Sequence, residues 1–200
     1  MDKITLITPC SRPENIKQVF ESINFPCEWR IVFDATDEEF KIIKESLEFL
    51  IDYKWVHLSN IKGGVSGNLQ RNKAMDEAEK GWWYFLDDDN KIHPDFYDNA
   101  GSLIYYHPDI KCFFFSQEVN RKVKIRNVSP ETVKVNKIDQ AQFIIHSDLI
   151  GAKRYVQKYE ADGIFIQQIF AHNPPELFYF FNTKVVTYYN RIEYEKNRNT

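Results

Sequence analysis

Blocks of apolar residues separated by polar segments predict an alternation of strands and helices over residues 1–95. Apolar β-rich runs predict four strands, at residues 4–8, 29–33, 54–58 and 82–86. Apolar residues at helical spacing predict helices over about 13–23 and 36–52. A third helix is expected over about 66–80, after a glycine-containing loop and before Gly81. Pro13 suits a first helical turn, Thr36 and Glu39 form a capping-box pattern, and Ser66 is the expected cap of the third helix. This alternation predicts an α/β fold with a mostly parallel central sheet flanked by helices.

Residues 96–200 are patterned less regularly and predict a small antiparallel β element in the C-terminal half. Paired strands are expected over 112–119 and 122–128 around Asn120-Arg121, with shorter strands at 143–146 and 185–189. Helices are expected over 94–106, 147–157 and 163–171, and Ser147 is the expected cap of the second. No linker or repeat divides the chain, so residues 1–200 are expected to form a single domain.

The composition narrows the class of protein. Hydrophobic residues make up 43% of the chain, with 16 Phe and 11 Tyr, which is enough for a sizeable core. The net charge of −3 argues against a general nucleic-acid binder, which usually carries a basic excess. No apolar stretch approaches the roughly 20 residues of a membrane span, and the N-terminus lacks a signal-peptide pattern. The three cysteines have no metal-type spacing, so we expect reduced thiols in a cytoplasmic protein.

The most informative segment is the predicted strand at residues 82–86, which runs directly into Asp87, Asp88 and Asp89. Like charges this close repel one another and resist burial, so packing gives no reason for them. A divalent cation removes the conflict, because hard cations bind several carboxylate oxygens and often a phosphate as well. The alternative is a solvated acidic turn, since aspartate is common in turns.

Polar groups also follow other predicted strands of residues 1–95. The loop after Thr8 and the side chain of Asp34 both come directly after a strand, as Asp87 does. In open sheets of this kind, ligands bind outside the carboxyl ends of the strands. The three strand ends therefore predict one ligand site at a single edge of the sheet.

Four segments resemble, in the same order, those of the GT-A nucleotide-sugar glycosyltransferases, particularly the small family-2-like members. The segments are residues 4–13, 67–74, 85–90 with Pro94-Asp95 after them, and 159–163. They look like the opening strand with its nucleotide loop, the Arg-Asn helix, the DxD motif with its trailing helix, and the acidic motif that supplies the catalytic base. The resemblance implies a GT-A (Rossmann-like) fold, with a nucleotide-binding half over about 1–95 and an acceptor-binding half over about 96–200.

The resemblance also implies roles on the donor side of the site. Asp87 and Asp89 match the DxD carboxylates that hold Mn²⁺ or Mg²⁺ on the diphosphate, and Asp88 would contact the ribose or the sugar. A late histidine, His172, matches the position of a metal ligand in some members, although a lone histidine is more often structural.

Further donor contacts are implied around the nucleotide. Thr8, Pro9 and Arg12 would line it, Asp34 would contact the base or ribose, and Arg71 would lie near the diphosphate or donor sugar. Each assignment has a plainer alternative. Asp34 is also suited to starting a turn, and Arg71 to a solvated helix face.

The catalytic base is implied by the last of the four segments. Asp162 matches the family's base, but the family usually shows adjacent Glu-Asp, whereas this chain has Glu160-Ala161-Asp162. Glu160 therefore remains a competing assignment. Both acids also suit the first turn of a helix, where they complement the helix dipole.

The function implied is metal-dependent transfer of a sugar from a nucleotide sugar, expected to be UDP-linked, to a glycan or another hydroxyl acceptor. One base opposite the leaving group predicts inversion. The alternatives are a sugar nucleotidyltransferase, which usually carries a glycine-rich signature where this chain has residues 9–13, and a catalytically silent binding module. At 200 residues the chain is short for the family, so it either acts on a small or exposed glycan or works beside a partner glycosyltransferase domain.

Overall fold

The computed structural model describes residues 3–119 and 124–197, in which nine strands form one sheet. The strands are β1 (Ile4–Cys10), β2 (Glu28–Phe33), β3 (Val56–Asn60), β4 (Trp82–Phe85), β5 (Lys91–Ile92), β6 (Cys112–Val119), β7 (Lys124–Arg126), β8 (Phe143–His146) and β9 (Phe178–Tyr189). The helices are α1 (Ile16–Ser22), α2 (Asp37–Ser46), α3 (Asn68–Glu77), α4 (Phe96–Tyr106), α5 (Ser147–Ile150), α6 (Ala161–Ala171) and α7 (Arg191–Lys196). None of these helices is both long and apolar enough to cross a membrane.

The first four strands lie side by side in the order β3-β2-β1-β4, and every pair among them is parallel. Cys10 is opposite Phe33 and Ile7 is opposite Phe85, so the carboxyl ends of β1, β2 and β4 lie along one edge of the sheet. This arrangement confirms the parallel α/β sheet predicted from the strand–helix alternation.

The C-terminal half extends the same sheet with antiparallel pairs. β8 pairs antiparallel with both β4 and β6, and β9 then pairs parallel with β6. The predicted β6–β7 pair is confirmed as antiparallel, with Gln117 opposite Arg126, while its turn at Asn120-Arg121 lies outside the described residues. Because β6 and β9 run in the direction of β4, their carboxyl ends join the same edge.

Helices cover both faces of the sheet, and successive strand residues enter different apolar clusters. Leu6 and Tyr84 pack on the face covered by α1 and α4, whereas Ile7 and Phe85 pack on the face covered by α3 and α6. Burial of both faces explains why these strands read as nearly continuous apolar runs. The three cysteines are free and buried.

The start of α2 is as predicted, and its end comes earlier than predicted. The Thr36 hydroxyl accepts a hydrogen bond from Glu39 N–H (3.3 Å), and the Glu39 carboxylate accepts one from Thr36 N–H (2.8 Å), which confirms the capping box. The helix ends at Ser46, and a 3₁₀ turn at Glu48–Leu50 replaces its expected last turn.

The predicted cap of α3 is wrong. The helix begins at Asn68, and Gly67 rather than Ser66 is the N-cap residue. Gly67 has φ +76°, in the left-handed region that favours glycine. A Cβ at this position would also lie 2.7 Å from the Pro9 Cβ, so the glycine lets the start of α3 approach the end of β1.

The helix predicted over 147–157 is a single turn, α5, which ends at Ile150. Ser147 is not its cap, because the ring of His146 accepts the hydrogen bond from Asp148 N–H (3.3 Å). Gly151, with φ +58°, takes the chain out of the helical region directly after this turn.

The last strand, β9, is longer than predicted. It begins at Phe178 rather than at 185, because the aromatic run at its start pairs with β6, where Phe114 is opposite Phe180. An aromatic run is compatible with simple core packing, and only the pairing of the two strands shows that it is part of the sheet.

Candidate active site

A cavity of about 790 Å³ opens at the edge where the carboxyl ends of β1, β2 and β4 meet. Residues 9–12 at the end of β1, Asp34 after β2 and residues 87–89 after β4 line it. Residues 136–139 and the start of α6 line it as well. The structure therefore brings the polar strand ends of the first half together with acidic residues of the second half.

Asp88, the middle of the three aspartates, holds the loop after β1. Its side chain is 3% exposed. Its Oδ2 accepts hydrogen bonds from the backbone N–H groups of Ser11 (2.7 Å) and Arg12 (2.8 Å), and its Oδ1 accepts one from Arg12 Nε (2.9 Å). Both carboxylate oxygens are thus used in fixing the loop that lines the cavity.

Asp87 and Asp89, on either side, are paired with different arginines. Arg71 Nη2 donates to Asp87 Oδ1 at 2.7 Å, and Arg12 Nη2 donates to Asp89 Oδ2 at 2.8 Å. Burial, reinforced by repulsion from Asp87, raises the pKa of Asp89 from 3.8 to about 6. A cation bound between the two carboxylates would relieve this repulsion.

The cavity is suited to a divalent cation that carboxylates and a diphosphate would bind together. Seven carboxylates but only four cationic side chains line the cavity, so an entering diphosphate needs further positive charge. Within the described ranges, no group of three or more His, Cys, Asp and Glu residues is arranged to hold a metal by itself. Mg²⁺ is commonly held by one or two carboxylates together with substrate phosphates. Asp87 and Asp89 are suited to that arrangement.

Arg71 connects the acidic end of β4 to the start of α6. Its side chain is 4% exposed, with Nη2 on Asp87 and Nη1 3.9 Å from Asp162 Oδ1. Nη1 also donates to the Ser66 carbonyl at 2.6 Å. Although burial disfavours the charge, Asp87 and Asp162 hold the pKa of Arg71 above its ordinary value. The alternative of a solvated helix residue is therefore wrong.

Asp162 lies in the first turn of α6 with its side chain 27% exposed. Burial raises its pKa from 3.8 to about 7, with Arg71 opposing the rise and Asp87 and Asp139 adding to it. A carboxylate with a pKa near neutrality is suited to accepting a proton at physiological pH. Glu160 is the N-cap residue of the same helix; it lines the cavity and makes no side-chain capping bond.

Close packing fixes the start of α6. A Cβ at Gly163 would lie 2.6 Å from the Val135 Cα, so only glycine allows the segment before β8 to approach so closely. Tyr159, just before the helix, is 81% exposed and lines the cavity. The cavity therefore has an exposed aromatic ring beside its two helix-start acids.

Not all of the residues expected around a nucleotide line the cavity. Pro9 and Asp34 line the cavity, and Asp34 Oδ1 accepts a hydrogen bond from Gly63 N–H at 2.8 Å. Thr8 does not line the cavity, because it is fully buried and its hydroxyl accepts a hydrogen bond from Trp29 Nε1 at 2.9 Å. Thr8 thus supports the strand beneath the loop.

His172 is not brought to the cavity. It is the C-cap residue of α6, and its Nδ1 lies 2.7 Å from the Gln168 carbonyl oxygen. An 11-residue helix separates it from the end that carries Asp162, which corresponds to about 15 Å at the rise of an α-helix.

The segment before β8, which supplies Asp139 and Gln140, also lines the cavity and is not among the residues predicted from the sequence. The side-chain amide of Gln140 donates to Asp87, and Asp139 accepts a hydrogen bond from Ala141 N–H at 2.9 Å. Burial, followed by repulsion from Asp87, raises the pKa of Asp139. Asp139 and Gln142 form a capping box, which is visible in the sequence. The contact of this segment with the end of β4 cannot be seen in the sequence, because it depends on the β4–β8 pairing.

No protein-family model matches the chain, and no curated protein matches it significantly. Solved structures do match. For TarS 1–349 of S. aureus the TM-score is 0.72 at 18% identity, covering 93% of this chain and 60% of that one. For the same fragment in complex with UDP-GlcNAc the TM-score is 0.67 at 19% identity, covering 93% and 58%. This chain thus spans about 60% of the length of the TarS fragment.

A second protein also matches. Glucosyl-3-phosphoglycerate synthase from Mycobacterium tuberculosis, in complex with Mn²⁺, UDP and phosphoglyceric acid, has a TM-score of 0.63 at 12% identity, covering 98% of this chain and 74% of that one. At such identities the likeness concerns the fold, and it agrees with the strand order and the helix layers described above. The chain has the GT-A fold of nucleotide-sugar glycosyltransferases.

Proposed function

We propose that the protein transfers a sugar from a nucleotide-diphosphate sugar to a hydroxyl acceptor, with a divalent cation on the diphosphate. One observation carries this proposal. Arg71 contacts Asp87 at 2.7 Å and lies 3.9 Å from Asp162, so a carboxylate suited to a metal and one suited to a base share the same cavity. The complexes of TarS with UDP-GlcNAc and of the synthase with Mn²⁺ and UDP support a UDP-linked donor.

The donor side would handle the charge of the leaving group. Departure of the sugar leaves a diphosphate that accumulates negative charge, and Mn²⁺ or Mg²⁺ held by Asp87 and Asp89 would neutralise it as a Lewis acid. Arg12 and Arg71, which pair with these carboxylates, would also donate hydrogen bonds to phosphate oxygens. Asp34, at the end of β2, would contact the base or ribose.

Asp162 would remove the proton of the acceptor hydroxyl. A positioned general base contributes typically about 10²–10⁴-fold to the rate. Its pKa of about 7 suits that task, and the nearby Arg71 would stabilise the ionised form. Glu160 is the competing candidate. A single base opposite the leaving group favours inversion, and a product with retained anomeric configuration would contradict it.

The acceptor side is proposed to be small. Residues after β4 provide it, and the exposed ring of Tyr159 at the cavity would contact an acceptor glycan. Since the chain spans about 60% of the TarS fragment, a partner domain is a second possible source of acceptor contacts. The free, buried cysteines fit a reducing compartment, which supports a cytoplasmic location.

The test is nucleotide release from UDP-, GDP- and dTDP-sugars with Mn²⁺ or with EDTA. The wild type is compared with Asp89→Ala and with Asp109→Asn, an exposed aspartate outside the cavity. We expect metal-dependent release from one donor class, lost in Asp89→Ala and kept in Asp109→Asn. No release together with no metal-dependent nucleotide binding would contradict the proposal and return residues 87–89 to an acidic turn. Binding without release, with a panel of acceptors present, would favour a silent binding module.

A further inference from the structure

Two cations of the C-terminal half, Arg126 and Lys137, line the cavity, and we call them the basic wall. They belong to a strongly basic stretch of the sequence. Residues 121–137 contain six Lys and Arg but one Glu, whereas the whole chain has a net charge of −3. Two of these six cations line a cavity that is otherwise rich in carboxylates.

The basic wall differs from the other two cations of the cavity in its partners. Arg12 and Arg71 are each paired with an aspartate of the β4 end. Arg126 instead contacts the Gln117 amide oxygen at 3.4 Å and lies over the Tyr189 ring at 5.0 Å.

No carboxylate of the described residues lies within 4.0 Å of the charged nitrogens of either basic-wall residue. Arg126 does lower the pKa of Asp139 at longer range, against the larger effect of burial. It therefore keeps its fork of N–H donors largely available for an anion.

The strand order places the basic wall beyond the metal-type carboxylates. Asp34 follows β2 and Asp87 follows β4. The strand that carries Arg126, β7, pairs with the same edge of β6 as β8 does, because β9 occupies the other edge. Since β8 and β6 lie on the side of β4 opposite to β1 and β2, β7 lies on that side as well. A donor with its base near Asp34 and its diphosphate at Asp87 would leave the basic wall on the side where the acceptor enters.

We propose that the acceptor carries a phosphate group, which Arg126 and Lys137 bind while its hydroxyl lies near Asp162. This inference rests on the proposed function, since it requires the donor to occupy the Asp34–Asp87 side. The planar guanidinium of Arg126 matches two oxygens of a phosphate, and the exposed Lys137 adds a mobile point charge. A neutral glycan would leave both cations without a direct ion-pair partner among the described residues.

The first experiment measures anion binding by isothermal titration calorimetry in the presence of saturating UDP and Mn²⁺. The probes are inorganic phosphate and dimethyl phosphate, so that the result does not depend on knowing the natural acceptor. We expect saturable binding that weakens about tenfold or more in Arg126→Gln and in Lys137→Gln, since charge-assisted hydrogen bonds are lost. Lys134→Gln, which alters a lysine of the same segment that does not line the cavity, should bind as the wild type does.

Two results would overturn the inference. The first is an absence of saturable phosphate binding in the wild type. The second is equal binding in Arg126→Gln and Lys134→Gln, because the anion would then occupy the metal or diphosphate position instead. Circular dichroism checks that the variants are folded, and Arg126→Lys, which keeps the charge, should bind more tightly than Arg126→Gln.

The two probes also distinguish the sources of the phosphate. If inorganic phosphate binds more tightly than dimethyl phosphate, the acceptor is a phosphomonoester on a small metabolite. If dimethyl phosphate binds at least as tightly as inorganic phosphate, the acceptor is a phosphodiester in a polymer. Either result supports the inference. Failure of UDP to bind with Mn²⁺ would instead contradict the proposed function. Phosphate binding that depends on Arg126 in the absence of UDP would then still support an anion site at the basic wall.

Discussion

Replacing Asp162 with asparagine should stabilise the folded protein while it abolishes sugar transfer. The two side chains have nearly the same shape, so the change removes charge without opening a cavity. In the folded protein the Asp162 carboxylate is largely buried and faces Asp87 and Asp139, and Arg71 compensates only in part, since the pKa is raised to about 7. Loss of a group whose ionisation costs stability is expected to raise the free energy of unfolding.

The size of the effect follows from the two pKa values. The pKa of Asp162 is about 7 in the folded protein and 3.8 ordinarily. At about 1.36 kcal/mol per pKa unit, this difference limits the gain in the free energy of unfolding to about 4 kcal/mol. The Asp162 side chain remains 27% exposed, so solvent screens part of the repulsion. We therefore expect the variant to gain about 1–3 kcal/mol at pH 8.

The pH dependence has a definite sign, which urea denaturation of both proteins can measure. Below about pH 4 the Asp162 carboxyl is protonated in the folded and unfolded chains alike, so the two proteins should be similarly stable. Between about pH 4 and pH 7 the unfolded chain releases this proton while the folded chain keeps it, so the wild type loses stability relative to the variant. The difference should be complete by about pH 8.

Nucleotide release in the presence of an acceptor supplies the second measurement. Loss of the base should lower the rate by about 10²–10⁴-fold. An Asp162→Asn protein that is less stable than the wild type at pH 8, or that keeps its activity, would refute this reasoning and leave Asp162 as a helix-start residue. Glu160→Gln is the matched control at the same helix start. Loss of activity in Glu160→Gln alone would make Glu160 the base.

Three further substitutions test other parts of the site. Asp88→Asn should destabilise the fold by about 1–3 kcal/mol in urea denaturation and raise KM for the donor. The reason is that an amide cannot accept all the hydrogen bonds that Ser11 and Arg12 donate to this side chain. Unchanged stability would speak against this role. Gly163→Ala should cost about 1–3 kcal/mol, because its methyl group would overlap the backbone of Val135, and a thermal melt at or above that of the wild type would contradict the packing argument. His172→Ala should leave the Mn²⁺ dependence of nucleotide release unchanged, and a weaker Mn²⁺ response would restore His172 as a ligand.

Much of the N-terminal half could be predicted because its signals are local. Strands buried on both faces read as apolar runs, and the capping box at Thr36 and Glu39 marks the start of α2 without any tertiary information. The acidic end of β4 was likewise visible, since three carboxylates after a buried strand conflict with packing alone. Parallel pairing then brings such strand ends to one edge.

The remainder depends on contacts between residues that are distant in the sequence. Gln140 reaches Asp87 only because β8 pairs antiparallel with β4, and Arg126 reaches the cavity only through the β6–β7 pair. The single turn of α5 shows the same limit, because the helical pattern continued to about 157 while Gly151 turned the chain away after Ile150. In each case pairing or backbone conformation decided the outcome, and neither is encoded in periodicity.

The direction of the carboxyl pKa shifts separates the cavity from the rest of the described surface. Hydrogen bonds from Thr36 and Lys62 lower the pKa of Glu39, as expected for a group that only stabilises structure. The other acids with a lowered pKa, all outside the cavity, are Glu28, Glu131, Glu193 and Glu195. By contrast, burial raises the pKa of Asp89, Asp139 and Asp162, and all three line the cavity. Buried carboxylates with raised pKa values at one place are what we expect of the cation and proton site proposed above.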